Sequence, residues 1–92
     1  MYKITKRQKD NAERLNVVIK PSKNTKKKID VYDKKGEKLA EIGDAKYMDF
    51  DLYIKAKGID YAKERQRLYK IRHESDRKKK GTAGYYADKI LW

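Results

Sequence analysis

His73, Glu74 and Asp76 are the first group of residues whose types could do chemistry. His73 is the only histidine in the chain, and it stands at the end of a basic stretch. A general base needs a neighbour that orients it, and a metal site needs a recognisable ligand spacing. The sequence around His73 offers neither. We therefore interpret His73 as a partly exposed histidine at a helix end.

Asp44, Asp49 and Asp51 are the second group, and they alternate with aromatic residues. Three carboxylates in such a run can bind magnesium, but residues of this kind more often cap helices or pair with arginines. Residues 81–84 follow a lysine run and are faintly similar to a phosphate-binding loop, although the lysine order is wrong and no strand precedes them. We predict a protein that is not an enzyme, with no catalytic residues, no metal, no cofactor and no small-molecule substrate. A small nuclease is the open alternative.

Positive charge dominates the composition and is segregated along the chain. The 92 residues include 26 lysines and arginines against 14 acids, a net charge of +12. Residues 1–28 hold ten basic and two acidic residues, and residues 63–80 hold nine and three, whereas residues 29–62 are slightly acidic. Such an excess favours an anionic partner, either nucleic acid or an acidic protein surface. No wide apolar face accompanies the basic segments, so we expect no membrane binding.

The candidate binding residues are cations of the N-terminal arm, of two lysine runs and of the main helix. They are Lys6, Arg7, Lys26, Lys27, Lys28, Arg67, Lys70, Arg77, Lys78, Lys79 and Lys80. Cations of this kind neutralise phosphates with a strong dependence on salt, and tyrosines can stack on unpaired bases. The chain has eight tyrosines but one phenylalanine and one tryptophan. We therefore interpret the tyrosines mainly as core residues.

The best helical pattern covers residues 59–75 and includes two arginines on its apolar face. Apolar residues recur there at helical spacing, namely Tyr61, Ala62, Leu68 and Tyr69. Arg65 and Arg72 fall in the middle of that face. We predict that they form structural ion pairs with carboxylates among Asp44, Asp49, Asp51 and Asp88. The alternative is that they contact phosphate.

Alternating residues predict a β-hairpin at 28–42, with its turn at residues 33–36. Residues 15–20 are rich in β-branched side chains and end at Pro21, which favours a third strand. Thr5 and Gln8 have the spacing of a capping box for a short helix from Lys6 to about Arg14. A loosely ordered basic arm is the alternative for that segment. A further short helix, capped by Asp49 or Asp51, should end at Gly58.

These elements predict one α+β domain over residues 1–92, in which a small three-stranded antiparallel sheet packs with one main helix. Residues 1–14 form the basic arm or short helix, 15–42 the sheet, 43–80 the helical part and 81–92 an apolar tail. The tail carries Tyr85, Tyr86, Leu91 and Trp92, and we expect it to dock on the protein's own core or on a neighbouring molecule. The chain lacks cysteine, a long apolar run and the apolar block of a signal peptide, which predicts a soluble protein made in a cytoplasm.

The second half of the chain resembles a group of viral proteins. The residues that carry the resemblance are Gly43, Tyr47, Asp49-Phe50, Tyr61-Ala62, Arg65, Arg67, Tyr69, Arg72-His73, Asp76-Arg77 and the closing block Gly84-Tyr85-Tyr86-Ala87-Asp88-Lys89-Ile90-Leu91-Trp92. Over roughly residues 29–92, this pattern is similar to small basic proteins of large double-stranded DNA viruses and of tailed phages of gut bacteria, the crAss-like phages among them. No catalytic residues carry over from that group.

The resemblance implies a virion protein that is made in the host cytoplasm. Its first expected role is that of an auxiliary or minor capsid protein, which binds the major capsid protein or another virion protein through basic and aromatic surfaces. Its second expected role is that of a DNA-associated protein, with DNA or RNA as the partner. The resemblance puts the capsid role first, whereas the charge alone favours nucleic acid.

Overall fold

The N-terminal segment folds as the short helix that its capping residues predict. The computed structural model describes residues 2–92, and helix α1 spans Lys6–Arg14. Thr5 accepts a hydrogen bond from the backbone N–H of Gln8 at 3.2 Å, and the Gln8 side chain accepts one from the Thr5 N–H at 3.0 Å. This reciprocal capping satisfies two backbone donors that the first turn leaves free. The alternative of a loosely ordered arm is therefore wrong.

Three strands form the predicted antiparallel sheet in the order β1-β2-β3. Strand β1 spans Val18–Pro21, β2 spans Lys27–Tyr32 and β3 spans Lys38–Asp44. The hairpin turn is the predicted one: Gly36 has a φ of 89°, and Asp33 accepts backbone hydrogen bonds from Lys35 and Glu37, both at 2.9 Å. The first strand begins three residues later than expected, because Leu15 caps α1 and Asn16 has a φ of 59°.

Two helices joined at Gly58 follow the sheet. Helix α2 spans Phe50–Lys57, and its N-cap Asp49 accepts a hydrogen bond from the Leu52 N–H at 3.0 Å. Helix α3 spans Ile59–Arg72, so the predicted main helix ends before residue 75. It ends there because His73, with φ −107° and ψ 23°, leaves the helical conformation before the short helix α4, Glu74–Arg77.

The C-terminal tail is itself a helix and docks on the protein's own core. Helix α5 spans Ala83–Leu91 and begins at Thr82, whose hydroxyl accepts a hydrogen bond from the Tyr85 N–H at 3.3 Å. Ile90 and Leu91 are at most 1 % exposed. The prediction that the tail docks is confirmed, and of the two docking places expected, its own core is the one occupied.

Aliphatic side chains, rather than tyrosines, form the centre of the fold. The fully buried cluster joins α1, the sheet and α5 and consists of Ala12, Val17, Ile29, Val31, Ile42, Ile90 and Leu91. None of the eight tyrosines is fully buried, and Tyr47 is 70 % exposed. The interpretation of the tyrosines mainly as core residues is therefore wrong for the centre of the fold, but Tyr2 and Tyr86 do pack against that core. No helix within residues 2–92 is long and apolar enough to cross a membrane.

Candidate functional site

Asp49 is a buried carboxylate held by residues from three parts of the chain. It is 1 % exposed, and Lys28, which is 4 % exposed, donates to it at 3.2 Å. The hydroxyl of Tyr2 also donates to Asp49 and accepts a hydrogen bond from Gln8 at 2.7 Å. Burial, together with the bond to Asp49, raises the pKa of Tyr2 well above its ordinary value of 10.0. Lys28 is therefore part of the fold and is not free to meet a partner.

Two further carboxylates, one buried and one half-buried, are paired with cations. Asp88 is 1 % exposed and accepts a hydrogen bond from Lys70 at 2.7 Å, with Arg77 at 3.9 Å from its other oxygen. Asp51 accepts a hydrogen bond from Arg7 at 2.8 Å. The same arginine donates to the Leu91 carbonyl at 2.9 Å, which ties α1 to the end of α5.

Four of the cations predicted to bind a partner form ion pairs with buried or half-buried carboxylates of the fold. They are Arg7, Lys28, Lys70 and Arg77. Three others are exposed but face a carboxylate of their own helix or of the next turn, namely Lys6, Arg67 and Lys78. The remaining four lie exposed and form no ion pair within residues 2–92, and they are Lys26, Lys27, Lys79 and Lys80.

Arg65 and Arg72 do not form the structural ion pairs that the sequence predicted for them. Within the described part of the chain, neither of them forms an ion pair, since Asp49, Asp51 and Asp88 are paired with other cations and Asp44 has no ion pair at all. The guanidinium of Arg65 lies over the ring of Tyr53, 5.5 Å from its centroid. Both arginines line the large groove of the molecule. The predicted structural ion pairs are therefore wrong, and both guanidinium groups lie at the groove instead.

The groove has a volume of about 930 Å³ and lies between the β2–β3 hairpin and helix α3. One wall comes from the strands and the loop after them, including Lys27, Ile42 and Tyr47. The opposite wall comes from α3 and its end, with Arg65, Tyr69, Arg72 and His73. Lys79 and the first turn of α5 close one side, and Trp92 lies among the lining residues.

Stacked rings line the α3 side of the groove. Tyr69 stacks on Trp92 with ring centroids 4.5 Å apart and planes at 10°, and His73 stacks on Tyr69 at 4.4 Å. Burial, with a contribution from the charge of Asp88, raises the pKa of Tyr69 to about 12. A tyrosine with that pKa stays neutral at physiological pH. The rings therefore provide apolar surface, and Tyr69 is unsuited to act as a general base.

The acids of the groove do not assemble a metal site. His73 Nδ1 lies 3.9 Å from Asp76 Oδ2, beyond hydrogen-bonding distance. No group of three or more histidine, cysteine, aspartate or glutamate residues within positions 2–92 is close enough to hold a metal ion. The groove instead places lysines and arginines beside aromatic rings, and the acids Glu41, Asp44 and Asp76 are also among its lining residues. The absence of enzymatic activity stays a prediction.

The sequence did not predict that Arg65, Arg72 and the aromatic rings would line one groove, although the helical spacing on α3 was visible. The helical face that carries Arg65, Tyr69 and Arg72 was visible in the spacing, but the surface opposite it depends on how α3 packs. The chain matches no protein-family model, no curated protein and no solved structure. The resemblance to viral and phage proteins stays a prediction from the sequence.

Proposed function

We propose that this is a nucleic-acid-binding protein without enzymatic activity, which attaches to the phosphate backbone through its basic surface. The observation that carries the proposal is that only a minority of the cations form ion pairs within the fold. Nine of the 26 lysines and arginines form ion pairs with carboxylates within residues 2–92, and the three buried aspartates among these partners each have a cation. The fold's own requirement for positive charge is thus met with many cations left over.

The surplus cations suit a polyanion because of their chemistry and position. Lys26, Lys27, Lys79 and Lys80 are exposed. Lys27 and Lys79 also border the groove that Arg65 and Arg72 line. Lysine and arginine side chains release the counterions condensed on nucleic acid when they neutralise phosphates, which supplies affinity without requiring a particular sequence.

A salt titration tests the proposal. We expect the wild-type protein to bind a short oligonucleotide tightly at low salt, with the logarithm of the affinity falling linearly as the logarithm of the salt concentration rises. Binding that persists at about 200 mM salt would add a contribution beyond the electrostatic one. Failure to bind both single-stranded and duplex DNA at low salt would contradict the proposal.

A second candidate function is that of an auxiliary capsid protein in a virion, as the resemblance implies. The observation in its favour is the exposed pair Tyr47 and Met48, which are 70 % and 36 % exposed on the loop before α2. Exposed aromatic residues are frequent anchors of protein interfaces. The burial of Leu91 in the protein's own core leaves that residue unavailable as an outward anchor, so we place this candidate second.

Mass spectrometry of purified particles separates the two candidates. A copy number in fixed proportion to the major capsid protein would support the capsid role. A copy number that follows the amount of packaged nucleic acid would support the first proposal. Absence from particles, combined with binding to nucleic acid in solution, would leave the first proposal alone.

A further inference from the structure

We propose that the groove between the β2–β3 hairpin and α3 binds single-stranded nucleic acid, with its phosphates on Arg65 and Arg72 and an unpaired base on Tyr47. This inference rests on the proposed function and names the site and the strand form. Nucleic-acid binding through the exposed lysines alone would leave the groove without this role, so the two claims can be tested separately.

The two arginines have a spacing that suits phosphate contacts, and neither guanidinium is paired with a carboxylate within residues 2–92. Seven residues separate Arg65 from Arg72, which is close to two helical turns, so both project from the same face of α3. Both line the groove, whose lining holds five lysines and arginines against four acids. A guanidinium presents parallel donors that match two phosphate oxygens.

The groove also offers an aromatic ring that the fold leaves uncovered. Tyr47 lines the groove and is 70 % exposed, while its backbone carbonyl is fixed by a hydrogen bond from Lys28. The backbone at Tyr47 is therefore anchored, while its side chain is largely exposed. Stacking of a base on such a ring contributes binding energy with little dependence on sequence.

The position of these groups inside a groove favours an unpaired strand over a duplex. The stacked rings of Tyr69 and Trp92 lie on the α3 side and line the same groove as the two arginines. Bases in a duplex are stacked on one another and cannot insert into such a space. Bases of a single strand can be turned outward onto aromatic side chains.

Trp92 provides the measurement, because it is the only tryptophan in the chain and it lies in the groove. We expect an oligothymidylate to quench its fluorescence at low salt, and a hairpin duplex with the same number of phosphates to quench it far less. Thymidine monophosphate serves as a third probe. Equal quenching by the mononucleotide at equal concentration would show a nucleotide pocket and would overturn the inference.

Matched arginine variants test the phosphate contacts. Arg65→Ala and Arg72→Ala should each weaken oligothymidylate binding about tenfold, the size of one lost charge-assisted hydrogen-bonding contact. Arg67→Ala removes the same charge from the same helix, but Arg67 pairs with Glu64 and lies outside the groove. It should leave the affinity within about twofold. Equal losses in all three variants would reveal a charge effect without a site and overturn the inference.

A pair of substitutions at one position tests the base contact. Tyr47→Ala should weaken oligothymidylate binding at least about fivefold, the lower end of what one stacked base contributes. Tyr47→Phe keeps the ring and should bind like the wild type. If Tyr47→Ala binds normally, or if single strand and duplex bind equally, the groove claim fails while the proposed function stands. If neither nucleic acid binds, both claims fail.

Discussion

Lys28 is the lysine that the fold buries, and its ammonium group lies among acceptors that come from elsewhere in the chain. It is 4 % exposed, and it donates to Asp49 at 3.2 Å and to the Tyr47 carbonyl. A buried ion pair adds little over an apolar pair of the same shape, but removal of one partner leaves an uncompensated charge. At the scale of the residue, losing Lys28 therefore destabilises the fold mainly because the buried carboxylate of Asp49 is left without a positive partner.

Replacing Lys28 with methionine tests that cost. Lys28→Met keeps most of the aliphatic stem and removes the charge, and we expect it to lower the free energy of unfolding by about 3–5 kcal/mol. Lys27→Met is the matched control, because its side chain is exposed on the neighbouring position, and it should change stability by about 0.5 kcal/mol or less. Urea unfolding followed by circular dichroism measures both, and equal effects would contradict the account.

Asp30 makes the free energy of unfolding depend on pH in the acid range. Burial alone would raise the pKa of Asp30, but hydrogen bonds from Ser22 at 2.6 Å and from the Lys23 N–H, with the charge of Lys38, hold the pKa below its ordinary value of 3.8. A carboxyl whose pKa is lower in the folded state than in the unfolded chain stabilises the fold above the unfolded pKa. That contribution disappears as the pH falls through the folded value.

The substitution Asp30→Asn should remove this dependence. We expect the difference in unfolding free energy between wild type and Asp30→Asn to be largest near pH 7 and to shrink as the pH falls below about 4. Unfolding curves at a series of pH values measure it. A difference that grows toward low pH would mean that the native state does not favour the ionised carboxylate.

At the scale of the elements, the contact between β3 and α5 determines how closely the C-terminal helix packs on the sheet. Gly43 lies in β3 with a φ of 78°, and a Cβ placed there would be 2.8 Å from Leu91 Cδ1 and 3.0 Å from Lys28 Cδ. The strand can approach the buried end of α5 this closely because Gly43 has no side chain.

A pair of glycine substitutions separates packing from backbone strain. Gly43→Ala and Gly36→Ala both place a side chain at positive φ, but nothing lies within 4 Å of a Cβ at Gly36. We expect Gly43→Ala to lower the melting temperature further than Gly36→Ala does, because overpacking adds a free-energy cost of about 1–3 kcal/mol. Thermal unfolding of both variants measures the difference. Equal losses would mean that Leu91 and Lys28 move aside without cost.

Local signals explain which elements the sequence could predict. The capping box of α1, the Asp33 turn with Gly36 and the Asp49 cap are encoded within a few residues, and each is found where expected. Helix α5 was expected only as a docked tail, because Gly84 and the run of aromatic residues obscure its periodicity. Its helical form follows from the Thr82 cap and from packing on the core.

The partners of the charged side chains could not be predicted, for a physical reason. Many lysines and arginines compete for few buried carboxylates, and spacing along the chain does not say which cation reaches which acid. Arg7 reaches Asp51 across 44 residues and Lys28 reaches Asp49 across 21. Once those pairs form, Arg65 and Arg72 are left facing the groove.

At the scale of the whole molecule, charge and architecture combine. The net charge of +12 lies on a body with extents of 38 × 29 × 24 Å, and its acidic groups are largely engaged by part of the cations. A protein of this kind attracts polyanions over a range set by the ionic strength, and close contacts then fix where they bind. We therefore predict two separable contributions to nucleic-acid affinity, a diffuse one from the exposed lysines and a local one from the groove.

The measurement that tests this most directly is the salt dependence of single-stranded DNA binding by the double variant Arg65→Gln/Arg72→Gln. Each lost phosphate contact should reduce the slope of log affinity against log salt by about 0.7, so the double variant should be less steep by about 1.4. Its circular dichroism spectrum should match that of the wild type, because neither arginine forms an ion pair within residues 2–92. An unchanged slope, or a variant that unfolds, would contradict the assignment of these two arginines to binding.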